Sequence, residues 1–290
     1  MPYDDPMTAP ELAAARTLIA LALAEDLGDR GDVTSAATIP AEAVGRAAFV
    51  ARKPGVVAGL HLIPLVAAEV DPALTVDLLA ADGASVVPGD RLATIAGPLR
   101  GILAAERTAL NFVQRLSGVA TLTRTYRSAV VGTRARVLDT RKTTPGWRLL
   151  EKYAVGMGGG SNHRIGLYDG VLIKDNHLAG LGPDAIRRAV EAARELAPSF
   201  DIEVEVDTLD QLAEALAAKA DIVLLDNMPA DVLRQAVAMR DTAYPSLLEA
   251  SGGVNLDTIR GIAETGVDRI SVGALTHSAP ALDIGLDYLS

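Results

Sequence analysis

Hydrophobic and polar positions change their rhythm once along this chain, near Gly132. Before it, residues 11–27 carry apolar side chains at Leu12, Ala15, Ile19, Ala22 and Leu23, the recurrence of an amphipathic helix that Gly28 and the GDRGD cluster stop. The next segment, GDVTSAATIP, reads as loop. Short strands are expected at 46–52, 74–79 and 91–95, set apart by Gly and Pro signals, with a helix over 60–70 between the first two. From 100 to 131 the pattern turns helical, with Gly118 as the expected break or kink. The first part is therefore a small α/β domain of helix and antiparallel sheet.

After Gly132 apolar strand-like runs alternate with helical segments. Strands are expected at 136–139, 171–174, 202–206, 222–225, 247–250 and 269–272, and helices at 146–154, 183–197, 209–217, 230–239 and 256–264. Such alternation requires parallel strands joined by right-handed crossovers, hence a doubly wound sheet or a β/α barrel. The residues at the carboxyl end of each run favour the barrel: Thr140–Arg141–Lys142, Lys174 to His177, Glu205 with Asp207, Asp226–Asn227, Ser251–Gly252–Gly253 and Gly273. Barrels assemble their sites from strand ends at one mouth.

Composition narrows the chemistry. Aromatic residues make up only 3% of the chain against 49% hydrophobic residues, so the core is aliphatic. There is no cysteine, which excludes disulfides, thiolate nucleophiles and Cys-ligated metals. The apolar run in residues 12–24 is short, contains Arg16 and ends in Glu25–Asp26, so neither a secretion signal nor a membrane span is expected, and a cytoplasmic protein is. The net charge is −10, yet residues 134–177 hold eight Lys and Arg against four Asp and Glu. A basic island in an acidic chain suits small anions better than nucleic acid.

Arg141, Lys142, Arg164 and Lys174, with His163 beside them, can hold two or more anionic groups, Arg as a bidentate fork and Lys as a point charge. Ser251, Gly252, Gly253 and Gly273 offer bare backbone N–H groups to a phosphate. Glu205 and Asp226 are acids in a mouth otherwise built for anions, which fits sugar hydroxyls, Mg²⁺ or a positive charge that develops during reaction. Together they fit phosphoribosyl transfer. Other residues take bland readings. Glu106 and Arg107 fit a solvated helix face, Gly158–Gly160 a flexible turn, and His61 and His277 structural histidines, while Asp175 and His177 are too few to claim a metal.

Eight motifs in order carry a resemblance: DTRKTTPG at 139–146, EKYAV at 151–155, GGGSNHR at 158–164, LIKDNH at 172–177, EVEVD at 203–207, LLDN at 224–227, SGG at 251–253 and VGALTHS at 272–278. With EDLG at 25–28, GDVTS at 31–35 and AERTALNFVQRLSGVAT at 105–121, the chain resembles quinolinate phosphoribosyltransferases over nearly its whole length. It departs at Trp147, where an aliphatic residue is usual, and at Gly156–Met157.

The resemblance implies an α/β fold with an N-terminal α/β sandwich domain over 1–113, to which 276–290 return, and an incomplete, open β/α barrel of the type II phosphoribosyltransferase kind over 114–275. It implies reaction of quinolinate with 5-phosphoribosyl 1-diphosphate (PRPP), accompanied by Mg²⁺, to nicotinate mononucleotide, diphosphate and CO₂ in NAD synthesis, with no redox cofactor. By the same resemblance Arg141, His163, Arg164 and Lys174 hold the quinolinate carboxylates. Lys142, Glu205, Asp226, Ser251, Gly252, Gly253 and Gly273 receive the phosphoribosyl part, Thr140 also binds substrate, and Lys142, Lys174, Glu205 and Asp226 carry the catalysis. Arg107 comes from the other subunit of a homodimer with shared sites, or of a higher homo-oligomer, and neither nucleic acid nor membrane is a partner. Two rivals stand beside this reading: a relative with the same scaffold and another acceptor, such as the molybdenum-associated ModD-like proteins or a transferase acting on nicotinate without decarboxylation, and, from a different class, a non-catalytic phosphosugar-binding or regulatory barrel.

Overall fold

The computed structural model describes residues 7–240 and 244–289. In chain order it contains α1 (Ala9–Leu27), α2 (Val33–Thr38), β1 (Val44–Ala51), β2 (Gly55–Val56), α3 (Leu62–Val70), β3 (Thr75–Leu78), β4 (Ser85–Val86), β5 (Arg91–Pro98) and α4 (Leu99–Ala129). Next come β6 (Arg136–Leu138), α5 (Arg148–Met157), β7 (Val171–Ile173), the single turn α6 (Asp175–Leu178), α7 (Ala185–Leu196), β8 (Ile202–Val206) and α8 (Leu209–Ala217). The chain continues through β9 (Ile222–Asp226), α9 (Ala230–Ala238), β10 (Leu247–Ser251), α10 (Ile259–Ala263), β11 (Arg269–Ser271), α11 (Ala274–His277) and β12 (Ile284–Tyr288). Among the described residues no helix is long and apolar enough to cross a membrane.

The chain forms two compact units. The first runs to Arg124 and takes in Thr143–Gly159 and the chain from Leu275 onward. Its sheet is antiparallel in the order β12-β1-β5-β3. The first-unit part of α4 buries Ile102, Ala105, Ala109, Leu110, Phe112, Val113, Leu116, Val119 and Ala120. The unit reaches past 113 because α4 is one helix, and because α5 is tied to it by an ion pair of 2.6 Å between Arg115 Nη2 and the wholly buried Glu151. Thr144 caps that carboxylate through its amide and hydroxyl, at 3.0 and 2.9 Å.

Three local expectations change. GDVTSAATIP is not all loop: Asp32 accepts a hydrogen bond from Ser35 N at 3.0 Å and so caps α2, a short helix whose polar sequence hides it. Gly118 does not break α4, which is helical throughout. A Cβ there would stand 2.1 Å from Pro280 O, so the glycine permits close backbone contact. Gly158 likewise ends α5 against α4, where a Cβ would lie 2.5 Å from Ala120 O, and is more than a flexible turn. Trp147 stacks on Phe112 within this unit, with ring centroids 4.8 Å apart.

The second unit comprises Thr125–Lys142 and Gly160–Ala274. Its six strands are parallel, in the order β6-β11-β10-β9-β8-β7. Ser161 makes one further parallel bridge to Leu138 on the free side of β6, but among the described residues no ladder joins it to β7, so the sheet does not close. This is the open barrel expected. The outward residues of the strands are almost all Val, Ile, Leu or Ala, as in β8, where Ile202, Val204 and Val206 are buried under the helices. The alternate residues face the barrel interior in layers set by register: Glu203 pairs with Ile222, Glu205 with Leu224, Glu249 with Leu224 and Ser251 with Asp226.

Candidate active site

The carboxyl ends of the six parallel strands enclose a cavity of about 480 Å³. It is lined by Thr140, Arg141, Lys142, His163, Arg164, Lys174, Glu205, Asp226, Ser251, Gly252 and Gly253, together with Leu172, Leu224, Asn227 and Ser271. Eleven expected residues thus meet in one place, delivered by β6, β7, β8, β9 and β10 and by the segment after Gly160. Gly273 lies between β11 and α11, and Arg107 stands exposed on α4 in the first unit; neither is among these lining residues.

Each strand delivers its group for a local reason. Val206 ends β8, and Glu205, one residue earlier, points inward because the side chains alternate. Glu205 pairs with Lys174, which lies just past β7, and the lysine remains 41% exposed at its side chain. The pair leaves a cation reachable from the cavity. Asp226 ends β9 and accepts a hydrogen bond from Asn227 Nδ2 at 2.7 Å. Asn227 is itself held at φ 52° and its amide donates to Ser251 O at 2.9 Å. Gly252 and Gly253 come next at φ 89° and 59°, conformations that glycine adopts freely.

Arg141 and Arg164 lie close enough to repel. The Arg164 pKa is lowered first by burial and then by the charge of Arg141, with Glu203 and Asp169 acting against this. Arg164 Nη1 donates to Gly170 O at 3.1 Å, and Asp169 accepts from the amides of Ile165 and Gly166, both at 2.8 Å, which folds the loop that carries Arg164. Two guanidinium groups lining one cavity suit an anion.

His163 is held from several sides. Its amide donates to the buried Asp139 at 2.9 Å. Its Nε2 lies 3.0 Å from Glu203 Oε2 and 3.4 Å from Glu249 Oε1. The amide of Arg164 donates to its Nδ1 at 2.8 Å, so in the neutral ring the proton sits on Nε2. Burial alone would lower its pKa, but the hydrogen bonds to Glu203 and Glu249 raise it to about 9. Burial raises the Glu203 carboxyl above the usual carboxylate range as well.

Glu203 and Glu249 are the residues that sequence reasoning misses. Their signal is nonetheless present: EVEVD places carboxylates at 203, 205 and 207, one strand face, and LLEASGG places Glu249 two residues before Ser251. Among the described residues, the His, Asp and Glu side chains close enough to share an ion are His163, Glu203 and Glu249. Asp175 and His177 instead serve the turn of α6, where His177 Nδ1 accepts from Lys174 N at 3.0 Å.

Comparison with known proteins gives the same reading. Residues 32–117 match the N-terminal domain, and residues 119–287 the C-terminal domain, of quinolinate phosphoribosyl transferase. The chain is 48% identical over 280 residues to a nicotinate-nucleotide pyrophosphorylase [carboxylating] of Mycobacterium leprae, covering 96% of this chain and 98% of that protein. It is 42% identical over 286 residues to quinolinate phosphoribosyltransferase [decarboxylating] 1 of Nicotiana glauca, covering 93% and 81%. The solved nicotinate-nucleotide pyrophosphorylase of Francisella tularensis superposes with a TM-score of 0.90 at 39% identity, covering 99% of each chain. Matched in both domains and along its length, the chain belongs to the quinolinate phosphoribosyl transferase family.

Proposed function

We propose that the cavity at the barrel mouth is where quinolinate meets PRPP, and that the chain transfers the phosphoribosyl group to the pyridine nitrogen with loss of CO₂, giving nicotinate mononucleotide and diphosphate. One observation carries this reading: Arg141, Lys142, Arg164 and Lys174 share a single cavity with Glu205 and Asp226. Cations for a dianionic acceptor and acids for a cationic transition state stand within one small volume.

Arg141, Arg164 and Lys174, with His163 beside them, hold the two carboxylates of quinolinate. Thr140, Lys142, Ser251, Gly252, Gly253 and Gly273 receive the phosphoribosyl group. Attack of the ring nitrogen on C1′ passes through an oxocarbenium-like state, whose positive charge Glu205 and Asp226 stabilise while Lys142 and Lys174 offset the charge of the departing diphosphate. Glu205 also keeps Lys174 in place, since the two are paired. In the adduct the ring nitrogen is positive and lies next to the C2 carboxylate. Loss of CO₂ leaves an electron pair that this nitrogen stabilises, and a proton from solvent completes the product. The chain's task at that step is to orient the carboxylate with its arginines.

The oxygen donors of Glu205 and Asp226 suit Mg²⁺ carried in with the diphosphate, since Asp226 keeps acceptor sites beyond its one bond from Asn227. When bound, the ion adds positive charge to the leaving group. The active form is a homodimer to which Arg107 of each subunit contributes in trans.

The test is direct. The purified protein is incubated with PRPP and Mg²⁺ and, separately, with quinolinate or nicotinate. Nicotinate mononucleotide and CO₂ from quinolinate alone are expected. Product from nicotinate without CO₂, or from neither acid, would overturn the reading.

A further inference from the structure

The proposed reaction leaves Glu203 and Glu249 without a task, yet both carboxylates are buried, at 3% and 0% exposure. Burying such groups is costly unless partners offset it, and apolar residues of similar volume commonly stabilise a core as well or better. Among the described residues, Glu203 Oε1 lies buried with no hydrogen-bond partner. Their retention inside the barrel therefore calls for a role besides stability.

The groups they touch supply one. Both face His163 Nε2, from β8 and from β10. Arg269 Nε of β11 faces Glu249 Oε2 at 2.9 Å, and Ser271 donates to Glu249 Oε1. The other edge of the imidazole accepts from the Arg164 amide, and Asp139 holds the His163 amide from behind. The ring is thus a strut between two buried carboxylates and the backbone of Arg164. His163 and Arg164 also line a second cavity of about 270 Å³, shared with Glu203, Phe200 and Arg269 at the amino ends of the strands. The two residues line both spaces. The three side chains could in principle ligate a metal, but the guanidinium of Arg269 already supplies the cation that Glu249 needs.

We propose that Glu203 and Glu249 are positioning residues that act through His163 to hold Arg164 at the barrel mouth, and so set the affinity for the carboxylate that Arg164 meets. The proposal rests on the reading of Arg164 as a quinolinate ligand.

The test uses Glu249→Gln and Glu203→Gln in the full-length protein, each alone and in an Arg164→Ala background. Wild-type turnover of quinolinate is established first, because its absence overturns the functional reading and leaves the strut to be judged by the histidine signal below. Each Gln variant should raise the quinolinate KM tenfold or more, with the PRPP KM within twofold of wild type. In the Arg164→Ala background the same substitution should cost less than twofold, since the path it acts through is gone. The His163 ring signal in NMR, assigned by its loss in His163→Gln, reads the strut without substrate: its titration should move from about 9 toward neutral pH in either Gln variant. Losses that multiply independently, equal losses for both substrates, or an unmoved titration would each overturn the proposal. Should Glu249→Gln fail to fold, Glu203→Gln carries the same measurements.

Discussion

A Cβ built on Gly252 would stand 2.2 Å from Oδ1 of Asn227. Both residues have positive φ, 89° and 52°, so the end of β10 and the end of β9 are interlocked in conformations that ordinary side chains avoid. Gly252→Ala should therefore push Asn227 away and with it the hydrogen bond to Asp226. The expected result is a PRPP KM raised at least tenfold and a stability loss of about 1–3 kcal/mol from backbone strain. Steady-state kinetics at saturating quinolinate and urea unfolding check the two parts. An unchanged PRPP KM would show that this loop does not receive the phosphosugar.

Arg164 should be separable from that loop. Arg164→Ala removes charge-assisted hydrogen bonds worth roughly 1.5–3 kcal/mol each, so kcat/KM for quinolinate should fall about a hundredfold or more. The affinity for PRPP should change little. Isothermal titration with each substrate distinguishes them, and equal weakening of both contradicts the assignment of Arg164 to the acceptor.

Glu205→Gln and Asp226→Asn keep size and remove charge. If these acids stabilise positive charge that exists only in the transition state, kcat should fall further than either substrate's affinity. Glu205→Gln should also loosen Lys174, its partner, and so raise the quinolinate KM modestly. Wild-type turnover in both variants would exclude the charge-stabilising role.

The contrast between Glu205 and Glu203 shows how far sequence carries. Both sit on the same face of β8, and only the one nearest the strand end is legible, because a carboxylate at a barrel mouth has a chemical use while charged residues in a strand interior are rare. The alternation of strand and helix reveals the parallel sheet, since its strands are mostly apolar and most are followed by a polar or glycine residue. The two-residue strands β2 and β4 carry too few positions for any period. α2 is held by one Asp32 cap and has no apolar stripe. Gly118 and Gly158 mislead for one shared reason: a glycine that allows two backbones to touch looks the same in sequence as one that lets a chain turn.

The cluster around His163 predicts a pH dependence of stability. Its pKa stands at about 9 against an ordinary 6.5, through the carboxylates of Glu203 and Glu249 and against the effect of burial. A pKa raised on folding means that the native state binds more protons, so the contribution is complete below 6.5 and is lost as pH rises through about 9. Glu203, raised by burial, acts in the same direction. Urea unfolding between pH 6 and 9.5 should show wild-type stability declining, with a flatter profile for His163→Gln. Parallel profiles for the two proteins would remove His163 as the source.

The last prediction concerns Arg107, which is exposed on α4 in the first unit although the family resemblance makes it a ligand of the quinolinate carboxylates. A symmetric pair of subunits would resolve this if its isologous contact set α4 of each copy over the other's site. Arg107→Ala and Lys174→Ala should each be nearly inactive when alone. Mixed under conditions that allow subunit exchange, they form dimers in which one site carries both defects and the other neither. Activity should then return toward about half of the wild-type value per mixed dimer, as two-fold symmetry requires. Exchange is monitored independently by mass spectrometry of differently tagged subunits. A solvated surface arginine would leave Arg107→Ala active from the start, and an arginine acting within its own subunit would give no recovery despite complete exchange.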